Sequence, residues 1–236
     1  MMVVKTLFSG SMFAVFHRLH QLGGVDMLRK LYDQQNVYLV EEYMLTMGTL
    51  WTKFPMTKIA DLQGHKMRSP GGQLSEVLQA LGAAQVVIPA EDLFSSLEKG
   101  VVDAADYGSA YTSYAAGIHK VAKYFSWPGF HKMVNNDIIA SKASWNKLPD
   151  NIKLIVETSV RWASSERVQR FTNLDIIGAQ KMIEAGNIPF QLSPDELKKA
   201  RAIAKGVWDK LKEKSPAAKE AVESQVAFMK QLGILD

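Results

Sequence analysis

Asp61-Leu-Gln-Gly-His-Lys-Met-Arg-Ser-Pro-Gly-Gly72 decides how the rest of the chain is read. Lys66-Met67-Arg68 is expected to form a short strand, because Pro70-Gly71-Gly72 closes it with a turn. Arg68 then stands at the strand's end. A guanidinium there is either solvated, as arginines beside turns commonly are, or clamps a small carboxylate through two parallel hydrogen bonds. Working outward, the rhythm is α/β. Leu74, Val77, Leu78 and Leu81 make one apolar helical face, stopped by Gly82. Gln85 to Ile88 reads as a strand ended by Pro89. Leu93, Phe94 and Leu97 mark a short helix with Gly100 at its C′ position. Val101 to Asp106 reads as the next strand, with both valines buried.

The flanks extend this pattern. Phe13 to Tyr32 suggests helix interrupted by Gly23-Gly24, Val37 to Val40 a strand, and Met44 to Trp51 a strand or buried loop. Ser113 to Tyr124 is expected to be helical and Val134 to Ala140 extended. Ile152, Ile155, Val156 and Val160 open a long helix reaching about Ala185, with a brief strand at Ile188 to Leu192. Ser193-Pro-Asp-Glu196 is a helix start: a hydroxyl cap, a proline in the first turn and a glutamate three residues after the cap. A last helix starts near Ser215-Pro216.

Composition narrows the function classes. The 236 residues can bury a substantial core, as one large domain or two lobes. The net charge of +4 is scattered among acids, with no basic stripe interleaved with aromatics, so nucleic acid is not an expected partner. Zero cysteines exclude disulfides and thiolate chemistry. Met1 to Phe8 is too short for a secretory signal, and no apolar run reaches membrane-spanning length. His17 and His20 lack the glutamate and the i,i+4 spacing of a zinc-protease helix. There is no phosphate-cradling loop and no nucleophile elbow, and Glu41-Glu42 and Glu91-Asp92 are adjacent rather than facing. Binding is therefore a better explanation than catalysis.

Asp103-Ala-Ala-Asp-Tyr-Gly-Ser-Ala-Tyr111 lies where a strand ends, which is where open α/β sheets place ligands. Asp106 either accepts from a ligand hydroxyl, coordinates a hard cation or caps the following turn. Tyr107 either walls a pocket or packs between elements. Trp127, Phe130 and His131 surround a Pro-Gly bend that suits a cleft wall or plain core packing.

Taken in order, Asp61 to Gly72, Leu78 to Gly82, Val87 to Asp103, Asp106 to Tyr111, Gly117 to Tyr124, Trp127 to His131 and Asn136 to Leu148 form a specific series. It resembles the DctP-type solute receptors of tripartite ATP-independent periplasmic (TRAP) transporters, over most of residues 10–235. The nearest subgroup resembles 2-oxoacid and related monocarboxylate receptors. The resemblance implies that Arg68 binds the substrate carboxylate. Asp106-Tyr107 matches a Glu-Trp pair that helps hold a cation beside the ligand, so the expected cofactor is none, or else a cation such as Na+ or Ca2+ bound with the ligand at Asp106 and Tyr107. Aspartate is shorter than that glutamate, and a phenol replaces the indole. Thr46 and Thr49, near Trp51, are the implied pocket donors, and Trp127 to His131 the hinge-side wall.

The family builds much of its first lobe, and carries a signal sequence, ahead of the point where this sequence starts. The expected fold is thus α/β, periplasmic-binding-protein type II-like, two-lobed and truncated at its N-terminus. Residues 1–65 are expected to be a remnant of the first lobe and crossover, 66–140 the second α/β lobe, and 141–236 a helical segment bracing both. The implied role is non-catalytic capture of a small organic acid in the periplasm. The implied partners are TRAP permease subunits and a second copy in a homodimer. The alternative is a truncated interaction module of the same fold that binds no solute.

Overall fold

A computed structural model describes residues 23–131, 135–233 and 235. Helix α1 (Gly24–Asp33) starts at the glycine pair, with Gly23 left-handed at φ 74° as its N-cap. The earlier part of that expected helix, with His17 and His20, lies outside the described residues. In chain order there follow β1 (Val37–Met44), β2 (Leu50–Thr52), β3 (Lys66–Ser69), α2 (Gly72–Ala80), β4 (Ala84–Val87), α3 (Leu93–Glu98), β5 (Ala104–Asp106), α4 (Ala110–Ala115) and β6 (Tyr124–Ser126). Then come β7 (Asn135–Ser141), α5 (Lys142–Trp145), α6 (Asp150–Glu184), β8 (Ile188–Phe190), α7 (Pro194–Lys212) and α8 (Pro216–Gln231).

Two sheets carry the two lobes. In the smaller, β1 and β7 pair antiparallel, from Val37 opposite Ser141 to Met44 opposite Asn135. The larger has the order β4-β3-β5-β2-β6-β8. In it β3 runs parallel to β4 and β5, β6 runs parallel to β8, and β2 is antiparallel to both its neighbours. These pairings run across the sequence boundaries at residues 65 and 140, since β2 belongs to the large sheet and β7 returns to β1.

Period-2 alternation puts successive strand residues on opposite faces. Leu50, Met67 and Ala104 join a core with Leu78 of α2, Trp208 of α7 and Met229 of α8. Trp51, Ala105 and Phe125 join another with Leu97 of α3, Ala110 of α4 and Met182 of α6. The central strands of the large sheet are thus buried on both sides, which leaves their ends to carry polar groups.

Several elements depart from the sequence expectation for local reasons. Strand β5 begins at Ala104, not Val101, because the Val101 and Val102 amides both turn back onto the Ser96 carbonyl leaving α3. Val102 is buried, but Val101 is 49% exposed. Helix α4 starts before Ser113, because Ser109 and Thr112 cap it reciprocally: Ser109 N donates to Thr112 Oγ1 at 2.6 Å and Thr112 N to Ser109 Oγ at 3.5 Å. It ends at Ala115, Gly117 just beyond its C-cap has a φ of 75° that suits a helix exit, and β6 takes up Tyr124. Ser193 caps α7 as expected, its Oγ accepting from Glu196 N at 3.3 Å. The Glu196 carboxylate, however, accepts from Ile59 N at 2.7 Å and pairs with Lys199 instead of closing a capping box.

The 35-residue α6 touches both lobes. Met44 N, leaving β1, donates to Ser164 Oγ at 2.9 Å, and Tyr111 N, opening α4, donates to Asp175 Oδ1 at 2.9 Å. Gly178 permits the second approach: a Cβ there would lie 2.8 Å from Tyr111 Cα. Ile139 of β7 and Leu154, Ile155 and Trp162 of α6 are exposed. No described helix is long and apolar enough to cross a membrane.

Candidate functional site

The register of the large sheet gathers the candidate residues at one rim. Arg68 lies opposite Ala105, and Leu50 opposite Asp106. The C-terminal ends of β3 and β5 therefore meet the start of β2, with the Trp127–His131 bend alongside.

Arg68 is 5% exposed. Its Nε donates to Ile88 O at 2.8 Å, just beyond β4, and its Nη1 donates to Asp106 O at 2.7 Å, at the end of β5. The guanidinium is thus pinned across the ends of both strands that flank its own. Nη2 has no hydrogen-bond partner, and no carboxylate oxygen lies within ion-pair distance, among the described residues. Burial pulls its pKa below the usual guanidinium value, against the charges of Asp106, Tyr107 and Glu91, yet arginine stays a cation. The Tyr107 ring centroid stands 6.0 Å from the guanidinium carbon.

Asp106, the nearest acid, is committed elsewhere. Its Oδ2 lies 2.5 Å from His131 Nε2, and the two residues are 6% and 5% exposed. Burial alone disfavours the imidazolium, but the Asp106 charge and hydrogen bond outweigh it, and the pKa of His131 is raised above the ordinary histidine value. His131 is held by backbone: Gly48 N donates to His131 O at 3.0 Å and Phe130 N to Gly48 O at 2.9 Å. The ring covers Gly48 so closely that a Cβ there would lie 2.2 Å from His131 Cε1.

Thr46 and Thr49 are buried at this rim. Thr49 exchanges backbone hydrogen bonds with Gly108 and Tyr107 at 2.8 and 3.1 Å, and neither threonine hydroxyl has a partner among the described residues. Trp127 is half-buried beside the Trp51 core, its amide donating to Phe190 O at 2.9 Å. Trp51 itself is wholly buried and stacked on Phe125, so it supports the rim from beneath.

The rim thus unites Arg68, Asp106, Tyr107, Thr49 and His131 through direct contacts. Gly48 was missed by sequence reasoning, and a lone glycine just before a strand was its only signal. A separate cavity of about 350 Å³ lies where β2 leaves the sheet at Lys53, lined by Lys53, His119, Lys120 and Asn187. It is open and edged by exposed lysines at the other end of the strands. The buried guanidinium, not this depression, marks the candidate site.

The model of DctP, bacterial extracellular solute-binding protein family 7, matches residues 3–215. The chain therefore belongs to that family, whose members are periplasmic binding proteins and not enzymes. It is 27% identical over 219 residues to a monocarboxylate 2-oxoacid-binding periplasmic protein of Nostoc sp., covering 91% of this chain and 59% of that protein's length. A TRAP solute-binding protein of Bordetella bronchiseptica, a mixed-occupancy dimer with calcium and picolinate in one site, superposes with a TM-score of 0.85. It is 25% identical, over 96% of this chain and 68% of that one. A relative from Pseudoalteromonas atlantica with bound sodium and pyruvate has a TM-score of 0.82 at 20% identity, over 97% and 70% of the two chains, a likeness of fold.

Proposed function

We propose that this chain is the substrate-binding subunit of a TRAP transporter, capturing a small organic acid such as a 2-oxoacid for delivery to membrane permease subunits. The observation that carries the reading is the Arg68 guanidinium, buried, braced by two carbonyls and lacking a carboxylate of its own. A cation held this way is completed by an anion from outside, in surroundings where charge-assisted hydrogen bonds count for more than in water.

On this reading a ligand carboxylate takes the open face of Arg68. The free hydroxyls of Thr46 and Thr49 receive its polar groups, Tyr107 and Trp127 exclude water, and Asp106 with His131 shapes the remaining wall. That the Nostoc relative is a monocarboxylate 2-oxoacid-binding protein supports the ligand class. The dimer described for the Bordetella relative supports a second copy as partner.

Calorimetry with a panel of 2-oxoacids, 2-hydroxyacids and dicarboxylates tests the reading. Saturable heat with a monocarboxylate is expected, and Arg68→Ala should weaken it by about 100-fold or more. Silence across the panel from a folded chain would instead favour an interaction module that keeps the fold without binding a solute.

A further inference from the structure

We infer that His131 fills the space beside Asp106 that the cation implied by the family resemblance would need, so that this receptor grips its ligand without sodium or calcium. The inference rests on the receptor reading above. It departs from the expectation that Asp106 and Tyr107 hold a cation, and the departure follows from contacts of this chain.

A hard cation such as calcium needs six to eight oxygen ligands at about 2.3–2.6 Å. Asp106 Oδ2 already has the His131 Nε2 at 2.5 Å, so an ion on that oxygen would contend with the imidazole for the same space. The imidazole is not free to yield on its inner side, because it lies flush against Gly48, and residues 130 and 131 are tied to Gly48 by two backbone hydrogen bonds. Tyr107, the other expected ligand, offers a phenol whose ring faces the Arg68 guanidinium at 6.0 Å, where a second cation would meet like charge. Among the described residues no three His, Cys, Asp or Glu side chains gather as a metal site.

Shape and charge point the same way. The imidazole meets the Asp106 carboxylate through Nε2 and so neutralises it as an ion would, while needing no further ligands. What remains for the solute is Arg68 and hydrogen-bonding side chains.

The test is calorimetry of the full chain with potassium pyruvate, after chelation and in sodium-free buffer, repeated with calcium or sodium restored. Dissociation constants that agree within about threefold are expected, and tightening by about tenfold or more with either ion would overturn the inference. His131→Gln removes the competing ring. It should weaken binding in chelated buffer and recover part of the loss when calcium is added. A second readout needs no solute: terbium luminescence sensitised by tryptophan should show no saturable site in the wild type, and a saturable site there contradicts the proposal. Should His131→Gln fail to fold by circular dichroism, the wild-type ion comparison and the terbium titration still decide. No heat with pyruvate or any other acid of the panel under either ionic condition overturns the receptor reading itself, and the inference falls with it.

Discussion

Arg29, against the small sheet, and Arg68, at the rim of the large one, are each anchored by two backbone carbonyls. Arg29 Nε and Nη2 donate to Leu39 O and Val40 O at 3.0 and 2.8 Å. Arg68 Nε and Nη1 donate to Ile88 O and Asp106 O at 2.8 and 2.7 Å. The difference lies in what completes them. Arg29 also takes Glu157 at 3.0 Å, a carboxylate that Tyr38 reinforces at 2.5 Å, whereas the acid beside Arg68 is given to His131. A guanidinium that serves the fold carries its own counter-ion. On the proposed reading, Arg68 has its geometry fixed in advance and its anion left out, so the cost of ordering is met before the solute arrives.

Arg68→Lys should give the largest effect. It keeps the charge but loses the planar fork that spans two carbonyls and still presents an edge, so calorimetry should show about 100-fold weaker carboxylate binding. Affinity equal to the wild type would mean that charge alone suffices. Arg29→Ala should move the other observable. Chemical denaturation should report about 2 kcal/mol of lost stability, with the solute dissociation constant unchanged. A drop in affinity comparable to that of Arg68→Lys would erase the distinction between the two arginines.

The smallest effect concerns pH. His131 has its folded-state pKa raised above the ordinary histidine value, so its charged contact with Asp106 contributes in full below that value. The contribution is lost as pH rises through the raised folded pKa. The difference in urea midpoint between wild type and His131→Gln should be largest near about pH 5.5 and shrink at higher pH. The corresponding difference for Arg29→Ala should stay flat over the same range, and a His131 difference that grows with pH would contradict the pairing.

Much of the fold is legible in local sequence because the signals are local. The apolar face ending at Gly82 and the Ser193 and Ser215 caps each need only a few neighbouring residues. Strand β5 and helix α4 were misplaced where a carbonyl or a hydroxyl, Ser96 O or Thr112 Oγ1, captures amides that periodicity alone assigns elsewhere. At the site, Arg68 is legible from the Pro-Gly turn that follows it. Its union with Ile88 is not, because that contact depends on β4 pairing beside β3. Asp106 and His131 could be proposed singly, but nothing in a one-dimensional pattern joins residues whose meeting depends on Gly48 passing beneath the ring. The β1–β7 pairing, across most of the large lobe, was equally hidden.

Helix α6 has one more consequence. Its Ser164 and Asp175 take hold of different lobes along a rod about 50 Å long, with the two grips about three helical turns apart. Sliding one lobe past the other would tear out one of these fastenings, whereas tilting strains both only slightly. The chain's mechanics thus favour a nodding motion about a stiff axle over translation. On the proposed reading, the angle between the lobes is the coordinate that would open or shut the Arg68 rim.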